Sequence, residues 1–407
     1  MRRGPLRGLP REVAVLATVA FFVAAGFGIV APAIPLFARS FGVDRLASSA
    51  VISAFALVRF VSALGVGRLV NAVGARLVLG AGIALVAGSS ALAGLAANYP
   101  QLILLRGAGG LGSAMFSVSA ISLLLGVTTS AQRGRAVGSF SGGFLLGGIS
   151  GPALGGLITE WSLRAPFFIY AGTLIAAGGS GLLLLPRRIR SSDSPDGPKP
   201  TLTIAQAIRL PAFRAAAFSN LADNWASVGV RSAIVPLFVV EALHRSPLVT
   251  GIGFTVFTLM NGLALFVAGR VADRQGRRPV LIAGCLGSAV GCAVLILPTG
   301  LIVFMVAMVV FGFGSGLLDV APGAMLGDVV GSRGGTVIAA YQMAGDAGSL
   351  SGPLVAGALA DSTGFSSAFA STVIILVAAA GVAVRSPETL QRGPVEAGTG
   401  GEQDPGK

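Results

Sequence analysis

Six ionisable side chains stand inside stretches that are otherwise apolar: Arg59, Arg106, Asp223, Arg231, Asp319 and Asp346. A charge in hydrocarbon is costly, so such a residue usually faces a partner charge, a water-filled cavity or a transported ion. Three cations balance three anions, which allows pairing. A buried carboxylate that takes up a proton loses its charge and shifts the balance between two conformations. Asp223, Asp346 and Asp319 are candidates for that role. Beside Asp223, the residues Asn220, Asn224, Ser227 and Arg231 follow i, i+4, i+7, i+11, which places them on one face of a helix.

The same inventory excludes other chemistry. The chain has one histidine, His244, and no Ser/His/Asp or Cys/His constellation, so it does not read as an enzyme. Cys285 and Cys292 lie seven helical residues apart, or ~10.5 Å, too far for a disulfide. There is no His/Cys cluster for a metal and no phosphate-binding GxxxxGK[ST] loop for nucleotide drive. No cofactor is expected.

The elements that position these residues follow from composition. Of 407 residues, 54% are hydrophobic and 11% charged, against about 25% charged in a typical soluble domain. Apolar stretches of membrane-spanning length recur at 13–37, 47–66, 77–97, 101–125, 136–158 and 166–185, then at 213–239, 248–268, 279–297, 301–326, 336–359 and 367–384. The expected fold is therefore an all-α membrane protein with 12 transmembrane helices. Its units are an N-terminal six-helix bundle (1–185), a cytoplasmic linker (186–212), a C-terminal six-helix bundle (213–385) and a disordered cytoplasmic tail (386–407). The first span is too long for a signal-peptide core and reads as uncleaved.

The net charge of +13 suits topology better than a nucleic-acid partner. With the N-terminus inside, 22 of 29 basic residues fall on the inner side, four (Arg39, Arg45, Arg164, Arg245) outside and three within spans. That asymmetry places both termini in the cytoplasm. The excess of arginine over lysine and the abundance of Gly and Ala suggest a bacterial source and its plasma or inner membrane.

The two halves repeat. Pro35-Leu36-Phe37 matches Pro236-Leu237-Phe238 at a shift of 201, GISGPALGG (Gly148 to Gly156) matches SLSGPLVAG (Ser349 to Gly357) at 201, and Gly67 matches Gly269 at 202. Six spans per repeat is an even number, so the halves are parallel and pack around an axis along the membrane normal with a central cavity, as in secondary transporters.

Gly269-Arg-Val-Ala-Asp273-Arg274-Gln-Gly276-Arg277-Arg278 resembles the signature loop of the major facilitator superfamily at every key position. Physically, its glycines permit a tight turn, Asp273 suits a helix N-terminus and the arginines suit headgroups. The first-half copy departs from it, with Gly67 kept but Asn71 in place of the acid. In the fifth span, Gly147, Gly151, Pro152, Gly155 and Gly156 resemble the family's antiporter motif, found chiefly in proton-exchanging exporters. Arg106-x-x-x-Gly110-x-Gly112 resembles its buried-arginine motif, implicated in proton transfer. The resemblance runs from Val13 to Val384, in the twelve-helix drug:proton antiporter-like branch.

The resemblance implies alternating access and proton-coupled efflux of small amphipathic or drug-like molecules, with protons and the lipid bilayer as partners and a functional monomer. It adds Arg106 to the proton-coupling candidates. It makes the first, fourth, seventh and tenth helices line the cavity, so Asn220, Asn224, Ser227 and Arg231 should face substrate. It also brings the second and eleventh helices together between the halves, where Arg59 and Asp346 sit at similar depth and should pair in one facing state and separate, or exchange a proton, in the other. It gives the signature loops a gating role, with the latch weakened at Asn71. The rival readings are a proton symporter taking up a sugar or organic anion, and a non-transporting membrane sensor.

Overall fold

The computed structural model describes residues 9–184, 203–297, 300–330 and 335–390. They form twelve long helices: α1 (Arg11–Arg39), α2 (Arg45–Val73), α3 (Ala75–Gly94), α4 (Tyr99–Gly126), α5 (Ser130–Trp161) and α6 (Ala165–Leu184), then α7 (Pro211–Ala242), α8 (Pro247–Gln275), α9 (Arg277–Val294), α10 (Leu301–Val329), α11 (Gly335–Ser362) and α12 (Phe365–Val384). No strand occurs among the described residues. Eleven of the helices are long and apolar enough to cross a membrane. The other, α11, has 28 residues, but Gly, Ser and Asp dilute its hydropathy.

Several helices outrun the apolar stretches that announce them, because caps rather than hydropathy end a helix. Asp44 accepts from the Ala47 backbone N–H at 2.7 Å to start α2, and Asn98 does the same for Gln101 at 3.0 Å to start α4. Gly74 (φ 92°) and Gly276 (φ 115°) take left-handed backbone that other residues avoid, and so break α2 from α3 and α8 from α9. Helix α1 is interrupted at Ala31–Pro32, where proline supplies no N–H to the ladder.

The linker expected at 186–212 lies outside the described residues as far as 202. Its remainder is ordered: a Thr203/Gln206 capping box opens a short helix, Ile204–Arg209, and Pro211 starts α7. The tail expected to be disordered from 386 begins with packed residues. Ser386 is buried and Glu388 binds the start of α9. Residues 391–407 of that tail lie outside the described set.

Helices α1–α6 close on one apolar core and α7–α12 on another. The packing inside each half rests on glycine. A Cβ on Gly143, Gly147, Gly151 or Gly155 of α5 would lie 2.2–2.3 Å from the carbonyl oxygens of Ala17, Phe21, Ala25 and Ile29 on α1. The four-residue period of both sets makes a ladder of backbone contacts that any side chain would pry apart. In the second half, Gly348 of α11 meets the Leu221 carbonyl of α7 in the same way, at 2.2 Å.

The halves touch along α5 with α8 and α2 with α11. The repeat governs these contacts. Gly156 sits against Pro247 and Leu248, and Gly357, its mate at a shift of 201, sits against Leu46 and Ser49. Polar ties add to them at one end of the bundle. Arg39 and Arg45 each donate from Nε to Glu241 at 2.8 Å. The Arg45 and Leu46 backbone N–H groups donate to Asp361 at 3.1 and 2.8 Å. Arg45 also lies 4.6 Å over the Phe365 ring. The end holding the helix α1–α2 and α7–α8 turns is thus fastened across the two halves.

Candidate functional site

Between the halves lies a cavity of about 440 Å³. Its wall is mostly apolar and aromatic, with Phe27 from α1, Phe55 from α2, Phe116 from α4, Phe144 from α5 and Phe254 from α8. Four charged residues line it: Arg59, Arg106, Arg231 and Asp346. Helices α1, α4 and α7 contribute as expected, but among the described residues α10 contributes none to the lining, whereas α2, α5, α6, α8 and α11 do. Glycine is again the reason. Gly312 and Gly316 press α10 onto the Phe257 and Asn261 carbonyls of α8, each 2.3 Å from an added Cβ, so that face of α10 is covered.

The polar stripe on α7 divides. Arg231 reaches the cavity, but Asn220, Asn224 and Ser227 do not line it. Asn220 donates to the Tyr341 carbonyl of α11 at 2.8 Å, and Asn224 donates to the Asn220 side chain at 3.0 Å. These two amides join helices inside the second half. Residues Asn224–Val230 form a π-helix, in which the Arg231 backbone N–H bonds the Ala226 carbonyl five residues back. The wider turn frees the Ser227 carbonyl, which accepts from Arg231 Nε at 2.7 Å. The guanidinium then rests over Phe254 at 4.8 Å and Phe257 at 4.3 Å, within cation–π range.

The carboxylates also separate. Asp223 is 5% exposed and away from the cavity wall, with its oxygens taking Ser315 Oγ at 2.8 Å and Ser227 Oγ at 3.5 Å. Asp319 is exposed and accepts from Asn261 Nδ2 at 2.7 Å. Asp346 faces the cavity from α11, opposite Arg59 of α2. No ion pair joins them among the described residues.

Arg106 is the one fully buried charge among the four on the wall. It is 3% exposed, its Nε has no hydrogen-bond partner, and its guanidinium lies 4.9 Å over the Phe55 ring. Gly110, one turn on, lets α4 sit on the Phe55 carbonyl, where an added Cβ would be 2.3 Å away. The glycine therefore fixes the depth at which the arginine meets the cavity. The Phe55 contribution has no signal in the sequence beyond its repeat relation to Phe257.

The glycines of the α5 motif serve two surfaces. Gly147, Gly151 and Gly155 meet α1, whereas Gly156 and Pro152 meet Gly251 of α8 in the other half. The signature loop is held by partners outside it. Asp273 pairs with Arg277 at 2.5 Å, and Arg277 also reaches Asp328 at 3.3 Å. The expected helix cap is not Asp273 but Glu388, which accepts from the Arg277 and Arg278 backbone N–H groups at 2.8 and 3.1 Å. Glycine suits position 276 through its φ of 115°, which other residues rarely adopt. Gly269 and Arg274 face outward, and Arg278 binds the Val384 carbonyl. In the first half, Asn71 is exposed, Gly67 is half-buried with open space around an added Cβ, and Arg76 binds the Leu182 carbonyl.

A family profile described as "Major Facilitator Superfamily" matches residues 16–225 and 215–403. The synaptic vesicular amine transporter of Mus musculus is 25% identical over 309 residues, 74% of this chain and 58% of that protein. The chain thus spans less than two thirds of the length of that relative. The quinolone resistance protein NorA of Staphylococcus aureus (strain MRSA252) is 29% identical over 164 residues, 40% of this chain and 42% of the relative. Among solved structures, a bacterial homolog of the human lysosomal transporter Spinster, inward-facing and unoccupied, superposes with a TM-score of 0.76 at 15% identity, covering 92% of this chain and 95% of that one. The nucleoside transporter NupG gives 0.73 at 14% identity, covering 92% and 99%.

Proposed function

Because this chain belongs to the major facilitator superfamily, a family of membrane transporters rather than enzymes, we propose that it is a proton-coupled exporter of small amphipathic molecules working by alternating access. The observation that carries this reading is the apolar cavity between the halves with, among the described residues, a single lining carboxylate, Asp346. Substrate and proton would compete for the same enclosed space, which couples one to the other. The glycine ladder of α5 and the partial likeness to a quinolone resistance protein support export over uptake.

In this reading Asp346 carries the proton, Arg231 and Arg106 form the charged wall, and Asp223 positions Arg231 through Ser227. Arg59 and Asp346 pair when the facing state reverses. The fastened end, at Glu241 and Asp361, is the periplasmic side, and the chain stands with both termini in the cytoplasm of a bacterial plasma membrane, open inward and acting as a monomer. The positive-inside asymmetry of the loops supports that orientation.

The test is transport in inverted membrane vesicles carrying the protein, with an imposed pH gradient and a fluorescent amphipathic dye. Gradient-driven dye movement that collapses with a protonophore is expected, and Asp346→Asn should abolish it while leaving dye binding. Gradient-driven movement retained in Asp346→Asn would move the proton to Asp223 or Asp319. Movement in the opposite sense would establish symport.

A further inference from the structure

We propose that the cavity selects molecules carrying one anionic group on an apolar, partly aromatic body, and that Arg106 receives the anion. The inference rests on the cavity being the transport site.

The charges on the wall do not balance. Three arginines line it against one carboxylate. Two of the three are provided for. Arg231 has a carbonyl acceptor at 2.7 Å and two ring faces. Arg59 is only half-buried, so water reaches it, and it shares the cavity with Asp346. Arg106 has one ring face, an Nε with no acceptor, and no carboxylate within ion-pair distance among the described residues. A guanidinium buried to 3% exposure without an anion is an uncompensated charge. An anionic group entering the cavity supplies the missing acceptor, and the planar fork of Arg fits a carboxylate or phosphate through two parallel hydrogen bonds.

The rest of the wall describes the rest of the ligand. Phe27, Phe116, Phe144, Phe254 and Tyr170 offer ring faces and edges to an apolar body, and about 440 Å³ suits a drug-sized molecule. An organic amine meets a poorer site, since Asp346 is the only lining carboxylate among the described residues and Arg59 shares the wall with it. The wall thus differs in charge from what a carrier of amines needs, although amine transporters are among the relatives of the chain.

The experiment uses three probes with one naphthalene body: 2-naphthylacetate, 2-naphthylacetamide and 2-naphthylethylamine. Binding to the purified full-length protein is measured by titration calorimetry at low salt. The acetate should bind at least about tenfold more tightly than the amide or the amine. In Arg106→Gln the acetate should fall to the affinity of the amide while amide binding is unchanged. Arg106→Lys, which keeps the charge but loses the fork, should keep the order and narrow the gap by about threefold. If the glutamine variant does not fold, the wild-type series and the lysine variant decide. Tightest binding of the amine, an acetate preference that survives in Arg106→Gln, a gap unchanged in Arg106→Lys, or no saturable binding of any probe overturns the proposal. Acetate selectivity without any proton-driven transport overturns the export reading and leaves this one standing.

Discussion

Phe55 and Phe257 stand 202 residues apart at equivalent places in the two halves, and each ring lies beneath an arginine that faces the cavity. The arginines are not equivalent: Arg106 comes from α4, Arg231 from α7. The repeat therefore supplies the same aromatic seat twice, and each half fills it from a different helix. Arg231 has a second ring, Phe254, and a carbonyl acceptor, so its dependence on Phe257 is shared. A double-mutant cycle between Phe55→Leu and Arg106→Gln should give a coupling of about 1 kcal/mol in thermal or denaturant stability. The cycle between Phe257→Leu and Arg231→Gln should give clearly less. Equal couplings would mean the rings only fill space.

The fastened end makes a second prediction. Glu241 holds both Arg39 and Arg45, so neutralising one carboxylate removes two ties between the halves. Glu241→Gln should populate the state open at that end. Both native cysteines are buried, which leaves a quiet background for labelling. A cysteine introduced at Ser232, on the cavity wall, should react several-fold faster with a membrane-impermeant thiol reagent added from the Glu241 side. An unchanged rate would show that backbone contacts such as Gly156 on Pro247 hold the end closed without the ion pairs.

The glycine ladder predicts opposite outcomes at neighbouring positions of one helix. Gly151→Ala brings a methyl group 2.3 Å from the Ala25 carbonyl, and both partners are backbone, so α1 and α5 must separate. Overpacking of that kind costs about 1–3 kcal/mol, seen as a lower melting temperature in detergent. Gly142 has nothing within 4 Å of an added Cβ. Gly142→Ala should be neutral or stabilising by up to ~1 kcal/mol through helix propensity. A Gly142→Ala variant as impaired as Gly151→Ala would remove the ladder argument.

Glu388 gives the pH dependence. Partial burial works against its charge, but backbone N–H donors from Leu390, Arg277, Arg278 and Thr389 outweigh it and hold the carboxyl below the usual glutamate range. A group depressed in the folded state adds stability above its unfolded value, about 4.3, and that stability is lost as the pH falls through the folded value. The stability difference between the native protein and Glu388→Gln should therefore be constant from neutral pH to about pH 5 and shrink as the pH drops further. A size of roughly 0.5–1 kcal/mol fits an exposed helix cap. A difference that grows on acidification would assign the effect to another group.

Hydropathy, the even number of spans per repeat and the constant shift near 201 were enough to determine the helix count and the two parallel halves. They suffice because span length is a local property, and because a repeat obliges equivalent residues to meet equivalent neighbours. Azimuth is not local in that sense. Asn220, Asn224, Ser227 and Arg231 share a face only if the helix keeps 3.6 residues per turn, and the π-helical stretch at Asn224–Val230 breaks that phase. The same turn gives Arg231 its carbonyl and sends the amides of Asn220 and Asn224 toward α11. Asp223 reads in the sequence as a charge like Asp346, yet Ser315, 92 residues away, covers one and the cavity exposes the other. Glu241 and Glu388 look like loop acids until the fold brings Arg45 and the start of α9 to them. Those choices depend on which backbones approach closely enough to touch, and only the packed tertiary structure decides that.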